Sequence, residues 1–303
     1  MKLIALLLGL LLERLLTHAL HLREPRWFDG YLDWALARFR ELRGGRAIAL
    51  TLVLVLLPVL PVALIAWVFH DLLLGIVYVA FAALVLVFSL GPRDLKDEVD
   101  DYIAALDRGD RTAAERVARE IMEHDAAQRT GTAPDTLDDA LFVQTNNRIF
   151  GVAFWFMLLG PAGAWLFRVS DLMRRRAVFE YRGRADNSSM VPDFVDALQA
   201  VHGVLAWTPA RLLALGYALA GSFEQALDEW RRTVQAAGAR FFDTNDHLLA
   251  GVGRGALNVE IEPAEFIALP GIGRVEACMR LITRALLIWL VLVSALVLIG
   301  WVR

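Results

Sequence analysis

The sequence predicts an all-α, polytopic integral membrane protein with re-entrant or half-immersed helices and cytoplasmic helical segments. Three observations lead there. The 303-residue chain is 57% apolar, where a soluble domain is nearer half. The apolar residues gather in blocks of about 20, the length that carries a helix across a bilayer core. The charged stretches between the blocks repeat their apolar residues at helical spacing. The net charge of −3 does not describe a generic nucleic-acid binder, so no nucleic-acid partner is expected. A single cysteine, Cys278, leaves neither an internal disulfide nor a Cys-rich metal site.

The opening run, MKLIALLLGLLLERLLTHAL, has the Lys and the Leu-rich centre of a signal peptide. Glu13, Arg14 and His18 follow in place of a small-residue cleavage site, so a retained helix is expected. Glu13 shares a helical face with Thr17 and His21, and Arg14 with His18. Ionisable groups inside an apolar helix are functional candidates, unless the helix is only half immersed and they sit at the interface. His18 and His21 have no third ligand nearby in sequence, so no metal site is expected there.

Ile48–Phe69 and Leu72–Leu90 read as two spans joined by His70-Asp71, with Pro58 and Pro61 tolerated as kinks. Leu286–Val302 reads as the last span, with Trp289 and Trp301 as interfacial anchors. Arg38, Arg40, Arg43 and Arg46 precede the first pair, and Arg93 and Lys96 follow it. Both flanks are therefore expected in the cytoplasm.

Leu95–Asn146 reads as a soluble helical hairpin resembling one tetratricopeptide unit. Val99, Tyr102, Ile103 and Leu106 share a face, Arg108-Gly109-Asp110 makes the turn, and Thr112 with Glu115 forms a capping box. Such a unit cannot bury its own face and must dock on something. The acidic run Asp97, Glu98, Asp100 and Asp101 suits the first turn of a helix, or else a Mg²⁺ ion.

Ile149–Phe167 is apolar and lies between Arg148 and Arg168, with Arg174, Arg175, Arg176, Arg182 and Arg184 beyond. A simple crossing would carry those arginines outside the cell. Gly160-Pro161-Ala162-Gly163 can turn the chain, so a re-entrant hairpin is expected; backbone of that kind must be buried in protein or line a wet cavity. In the stretch around Trp207, Pro209 suits a first helical turn with Thr208 as N-cap. Arg211 argues against a full crossing, and Gly221-Ser222 ends the helix. The region from Glu224 to Arg284 reads as helix and loop; Gly251, Gly253 and Gly255 make only a weak dinucleotide motif. The expected segments are 1–91 and 284–303 in the membrane, 148–221 as a membrane-associated core, and 92–147 and 222–283 in the cytoplasm.

The candidate binding residues are Asn146, Asn147, Arg148, Arg168, Asp171 and Arg211. Amides and guanidinium groups at a membrane mouth can hold a phosphate or carboxylate. The arginines from Arg174 to Arg184 suit an anionic lipid surface or a phosphorylated ligand, with Asp171, Asp193 and Asp196 placed to hold Mg²⁺ beside it. Asn146 and Arg148 also fit a plainer role as an N-cap and an interfacial charge.

Three stretches, GPRDLKDEVDDYIAALDRGD, NNRIFGVAFWFMLLGPAGAWLFR and HGVLAWTPARLLALGYALAGSFEQAL, resemble the AmpE proteins of the CobD/CbiB superfamily. The likeness runs nearly the whole chain, and the GP-x-GA and W-x-PARL motifs carry it together. It implies a bacterial inner-membrane protein that modulates β-lactamase induction in the context of cell-wall recycling, acting through a cytoplasmic protein partner or an anionic small molecule. The CobD/CbiB relatives use MgATP to join an aminopropanol unit to cobyric acid. Their acidic pattern before GP-x-GA corresponds here to Asn146 and Asn147, and their Asn-Thr-Leu-Asp motif is reduced to Ser170-Asp171-Leu172. Lost carboxylates remove metal-binding or general-base capacity, while Gly160, Pro161, Gly163, Pro209 and Arg211 are kept. The resemblance thus implies a retained scaffold, with MgATP as the cofactor only if the ligase chemistry survives.

Overall fold

The computed structural model describes residues 5–9, 26–39, 44–69, 75–90, 95–122, 136–183, 193–235, 243–258 and 270–299. Its elements are all helical: α1 (Arg26–Phe39), α2 (Gly45–Leu56), α3 (Val59–Phe69), α4 (Ile76–Leu90), α5 (Leu95–Asp107), α6 (Arg111–Met122), α7 (Leu137–Thr145), a π-helical turn (Asn146–Phe150), α8 (Gly151–Leu159), α9 (Pro161–Gly183), α10 (Asp193–Ala220), α11 (Phe223–Gln235), α12 (Asp243–Leu257) and α13 (Ile272–Leu298). Among the described residues, four helices are long and apolar enough to cross a membrane: Gly45–Phe69, the one beginning at Ile76, Asp193–Ala220 and Ile272–Val297. Their exposed large apolar side chains, Leu60, Leu64, Trp67 and Val291 among them, suit contact with lipid rather than water. The chain is a membrane protein of the all-α class.

The chain divides into two compact units, residues 1–92, 151–205 and 297–303 in one, and 93–150 and 206–296 in the other. In the first, α9 packs on α1, α2, α3 and α4, with α8 folded back along it. The reversal is at Gly160, whose φ of +72° lies in the left-handed region that glycine enters without a Cβ clash. Its N–H donates to the Phe156 carbonyl at 2.7 Å, and its carbonyl accepts from Gly163 at 3.0 Å. Glycine thus ends α8, and Pro161, whose missing N–H costs nothing in a first turn, begins α9. Gly163 lets the helices touch: a Cβ there would lie 2.2 Å from the Trp155 carbonyl oxygen. The sequence-predicted hairpin turn is therefore present. The break in Gly45–Phe69 is at Leu57-Pro58, and the Pro58 carbonyl accepts from Trp165 Nε1 at 3.1 Å.

In the second unit, α5 and α6 form the expected hairpin, turning at Gly109 with φ +69°. Val99 and Tyr102 are buried, and Ile103 and Leu106 pack beside them. The hairpin docks on α7, and Tyr102 Oη donates to the Pro270 carbonyl at 2.9 Å. The N-cap differs from expectation. Asp110 Oδ1 accepts from Ala113 N at 3.0 Å, so Asp110, not Thr112, caps α6; the helix begins at Arg111, which puts Thr112 inside the first turn and Asp110 where the free N–H groups point. The three glycines of α12 are helical and serve packing. A Cβ on Gly253 would meet the Phe142 ring at 2.4 Å, and one on Gly255 the Gln225 carbonyl at 2.7 Å.

Pro209 is not in a first turn. It lies inside α10, a continuous helix of 28 residues, and no helix starts at Thr208. Proline removes the N–H that would bond Leu205 four residues back. Trp155 Nε1 supplies the missing donor to the Leu205 carbonyl at 3.0 Å, the kind of replacement that lets apolar helices carry proline. Trp289 is held within the protein. Its Nε1 donates to the Leu212 carbonyl at 3.0 Å, its ring packs on Phe150, and Gly216 leaves the space it fills.

Candidate functional site

Beyond the apolar first turns of α9, polar residues recur every three or four positions: Arg168, Asp171, Arg174 and Arg175. That spacing puts them on one helical face. Asp171 is wholly buried and lies at the centre. Its Oδ1 meets Arg174 Nη2 at 2.9 Å. Its Oδ2 meets Arg175 Nε at 2.8 Å and Arg168 Nη1 at 3.4 Å. Burial by itself pushes the Asp171 carboxyl up. The guanidinium groups of Arg175 and Arg174, with smaller contributions from His202 and Arg168, overcome it and hold the carboxyl well below the usual carboxylate range. Arg168 is buried with the carboxylate, whereas the side chains of Arg174 and Arg175 are 20% and 22% exposed. The cluster therefore reaches solvent through two of its arginines.

From α10, His202 joins the same cluster, buried, with Nε2 3.9 Å from Asp171 Oδ1. Its Nδ1 lies 3.1 Å from Ser170 Oγ, and the Ser170 hydroxyl donates to the Phe167 carbonyl at 2.7 Å. The Phe167 ring packs against the imidazole with centroids 5.1 Å apart.

In the second unit, Asn146, Asn147 and Arg148 lie in the π-helical turn, a local widening that is frequent at functional sites. Both amides are buried, and Asn146 Nδ2 donates to Asn147 Oδ1 at 3.3 Å. Arg148 is held from within the protein: Nη1 meets Glu98 Oε2 at 2.8 Å, and Nε donates to Gln144 Oε1 at 3.0 Å. Arg211 lies over the Trp207 ring, 4.2 Å from its centroid. Its Nη1 donates to Asn245 Oδ1 at 2.8 Å and to the Trp207 carbonyl at 3.0 Å.

The structure thus joins Arg168 to Asp171, and Asn146 and Asn147 to each other. Arg148 and Arg211 each keep separate partners. Gly160, Pro161, Gly163 and Pro209 shape backbone, and Glu13 and His18 lie outside the described residues. Asp193 accepts from Gly44 N at 2.6 Å. Sequence reasoning missed His202, Gln199 and the partners of the acidic residues. Glu98, read as a first-turn charge, pairs with Arg148. Asp138 and Asp139, buried in the first turn of α7, pair with Arg274 and Arg254. No linear signal marks these pairings.

The described residues do not gather a ligand set for a resident metal ion. Among the described residues no group of three or more His, Cys, Asp and Glu side chains is placed to hold one. The buried carboxylates of Glu98, Asp138, Asp139 and Asp171 are each engaged by arginine, which competes with a cation for the same oxygens.

No solved structure matches the chain. It is similar to the cobalamin biosynthesis protein CobD of Stutzerimonas stutzeri, 32% identical over 229 residues that cover 73% of this chain and 71% of the relative. It is similar also to the cobalamin biosynthesis protein CobD of Chromobacterium violaceum, 30% identical over 276 residues, 84% of this chain and 79% of the relative. Residues 1–248 match the family described as regulatory signalling modulator protein AmpE, and the chain, an all-helical membrane protein carrying the hairpin and arginine face just described, belongs to that family.

Proposed function

We propose that this chain is a regulatory protein of the bacterial inner membrane, of the β-lactamase-induction and cell-wall-recycling type. It binds an anionic small molecule, phosphorylated or peptidoglycan-derived, on the cytoplasmic face, or a protein partner that presents the same charge. One observation carries this reading: three guanidinium groups converge on the single buried carboxylate of Asp171, and two of them extend to solvent. Arginine in a partly desolvated setting is suited to bidentate recognition of oxyanions. The carboxylate pre-orders the guanidinium groups, so little side-chain entropy is left to lose on binding. Titration calorimetry on the purified full chain tests it, with inorganic phosphate and a soluble muropeptide as probes. Binding is expected, weakened about tenfold or more in Arg175→Gln. Absence of heat with either probe overturns the reading.

A second reading is an MgATP-dependent amide-forming ligase of the CobD/CbiB type, favoured by the names of the two curated relatives. The engagement of the buried carboxylates by arginine weighs against it. An assay with MgATP, cobyric acid and aminopropanol separates the two. Turnover that vanishes in Arg211→Ala would establish the ligase and remove the regulatory reading.

A further inference from the structure

His202 has one tautomer imposed on it. The single Ser170 hydroxyl hydrogen is directed to the Phe167 carbonyl, 2.7 Å away. Toward the ring, Ser170 Oγ can then only accept, so the 3.1 Å contact to Nδ1 places the ring hydrogen on Nδ1. Nε2 is left with a lone pair. It lies 3.9 Å from Asp171 Oδ1, beyond hydrogen-bond reach, the separation expected of two acceptors. Nε2 is buried and has no hydrogen-bond partner among the described residues, and neither has the buried Gln199 Oε1. Gln199 is one turn earlier on α10, three residues away, and so lies on the same face. Arg168, Arg174 and Arg175 make further interactions; it is the two neutral side chains that call for a donor from outside the chain.

We propose that His202 is a specificity-determining residue of the anion site. It requires the bound oxyanion to carry its own O–H, so the site takes protonated oxyanions such as phosphate and rejects sulfate. This rests on the oxyanion-binding reading of the Asp171 cluster. The anionic oxygens accept from Arg174 and Arg175, and the remaining O–H donates to His202 Nε2. Sulfate has the same shape and charge class but keeps no hydrogen at neutral pH. It would set an oxygen lone pair against the Nε2 lone pair, leaving a buried acceptor unsatisfied. Ser170 is the positioning residue, because its hydroxyl fixes which nitrogen carries the hydrogen.

The test uses the full chain in phosphatidylcholine nanodiscs, titrated calorimetrically with inorganic phosphate and separately with sulfate. The wild type is expected to prefer phosphate by about tenfold or more. His202→Gln presents an amide that can donate, and Ser170→Ala frees the ring to move its hydrogen to Nε2. Both are expected to bring the two affinities within about threefold, chiefly by gaining sulfate binding, a gain that mere structural damage does not give. A wild type that binds both anions equally overturns the proposal and leaves the oxyanion reading standing. Failure to bind either anion overturns both. Variants that keep the wild-type preference also overturn the proposal. Nanodiscs containing phosphatidic acid distinguish the source: a phosphate affinity lowered by that lipid identifies a lipid headgroup as the O–H-bearing oxyanion, and an unchanged one identifies a soluble ligand.

Discussion

At the scale of single residues, Asp171 has the most consequential environment. Removing one partner of a buried charge cluster leaves the others uncompensated and costs about 3–5 kcal/mol. Asp171→Asn is therefore expected to lower the thermal midpoint markedly, measured by fluorescence-detected size exclusion after heating in detergent. Its pH dependence has a definite sign. Folding holds the Asp171 carboxyl below the roughly 3.9 of an exposed aspartate. Its contribution to stability is then fully present above about pH 5 and is lost as the pH falls through the folded value. Thermal midpoints should be flat in this respect from neutral pH to about pH 5, then decline more steeply for the wild type than for Asp171→Asn. Equal slopes in acid would show that Asp171 is not held by its arginines.

At the scale of elements, the exchange of backbone donors around Pro209 makes a sharp prediction. Trp155 Nε1 occupies the Leu205 carbonyl that a residue with an N–H at position 209 would take. Trp155→Phe should cost about 1 kcal/mol or more by orphaning a part-buried acceptor. In a Pro209→Ala background the same change should cost less, since the helix then satisfies Leu205 itself; a double-mutant cycle in chemical denaturation measures the difference. Additive costs would remove the compensation. In the α8–α9 hairpin, Gly163→Ala should destabilise more than Gly160→Ala. The first drives a methyl into the Trp155 carbonyl, while the second meets only the Tyr78 hydroxyl at 3.0 Å along with about 1–2 kcal/mol of left-handed strain. The turns at Gly160-Pro161 and at Arg108-Gly109-Asp110 were legible in the sequence because glycine and proline constrain their own backbone. The interior position of Pro209 was not, because its stabilising donor lies on another helix. Arg168 and Asp171 could be read from helical spacing on one element. His202 and the Glu98–Arg148 pair could not, since contacts 32 and 50 residues apart leave no periodic trace.

At the scale of the whole molecule, the arginines decide which way the hairpin faces. Arg174, Arg175 and Arg176 follow the apolar part of α9, and basic residues near membrane segments stay on the cytoplasmic side. The apolar run that begins at Ile149 is only eleven residues long when the chain reverses at Gly160. At about 1.5 Å per residue that is too short to cross a hydrocarbon core about 30 Å thick. This favours the re-entrant hairpin expected from the sequence, and the prediction is that positions 148 and 174 are accessible from the same side of the bilayer. Cysteine labelling tests this directly. The native Cys278 is buried and is first replaced by alanine, which leaves a background without thiols. Single cysteines at 174, 176 and 184 should then resist a membrane-impermeant maleimide in intact cells and react once the membrane is opened. A cysteine at 148 should behave in the same way. Reaction of 174–184 in intact cells, with 148 still protected, would make 149–167 a true crossing and carry the arginine cluster away from the cytoplasmic ligands it is proposed to bind.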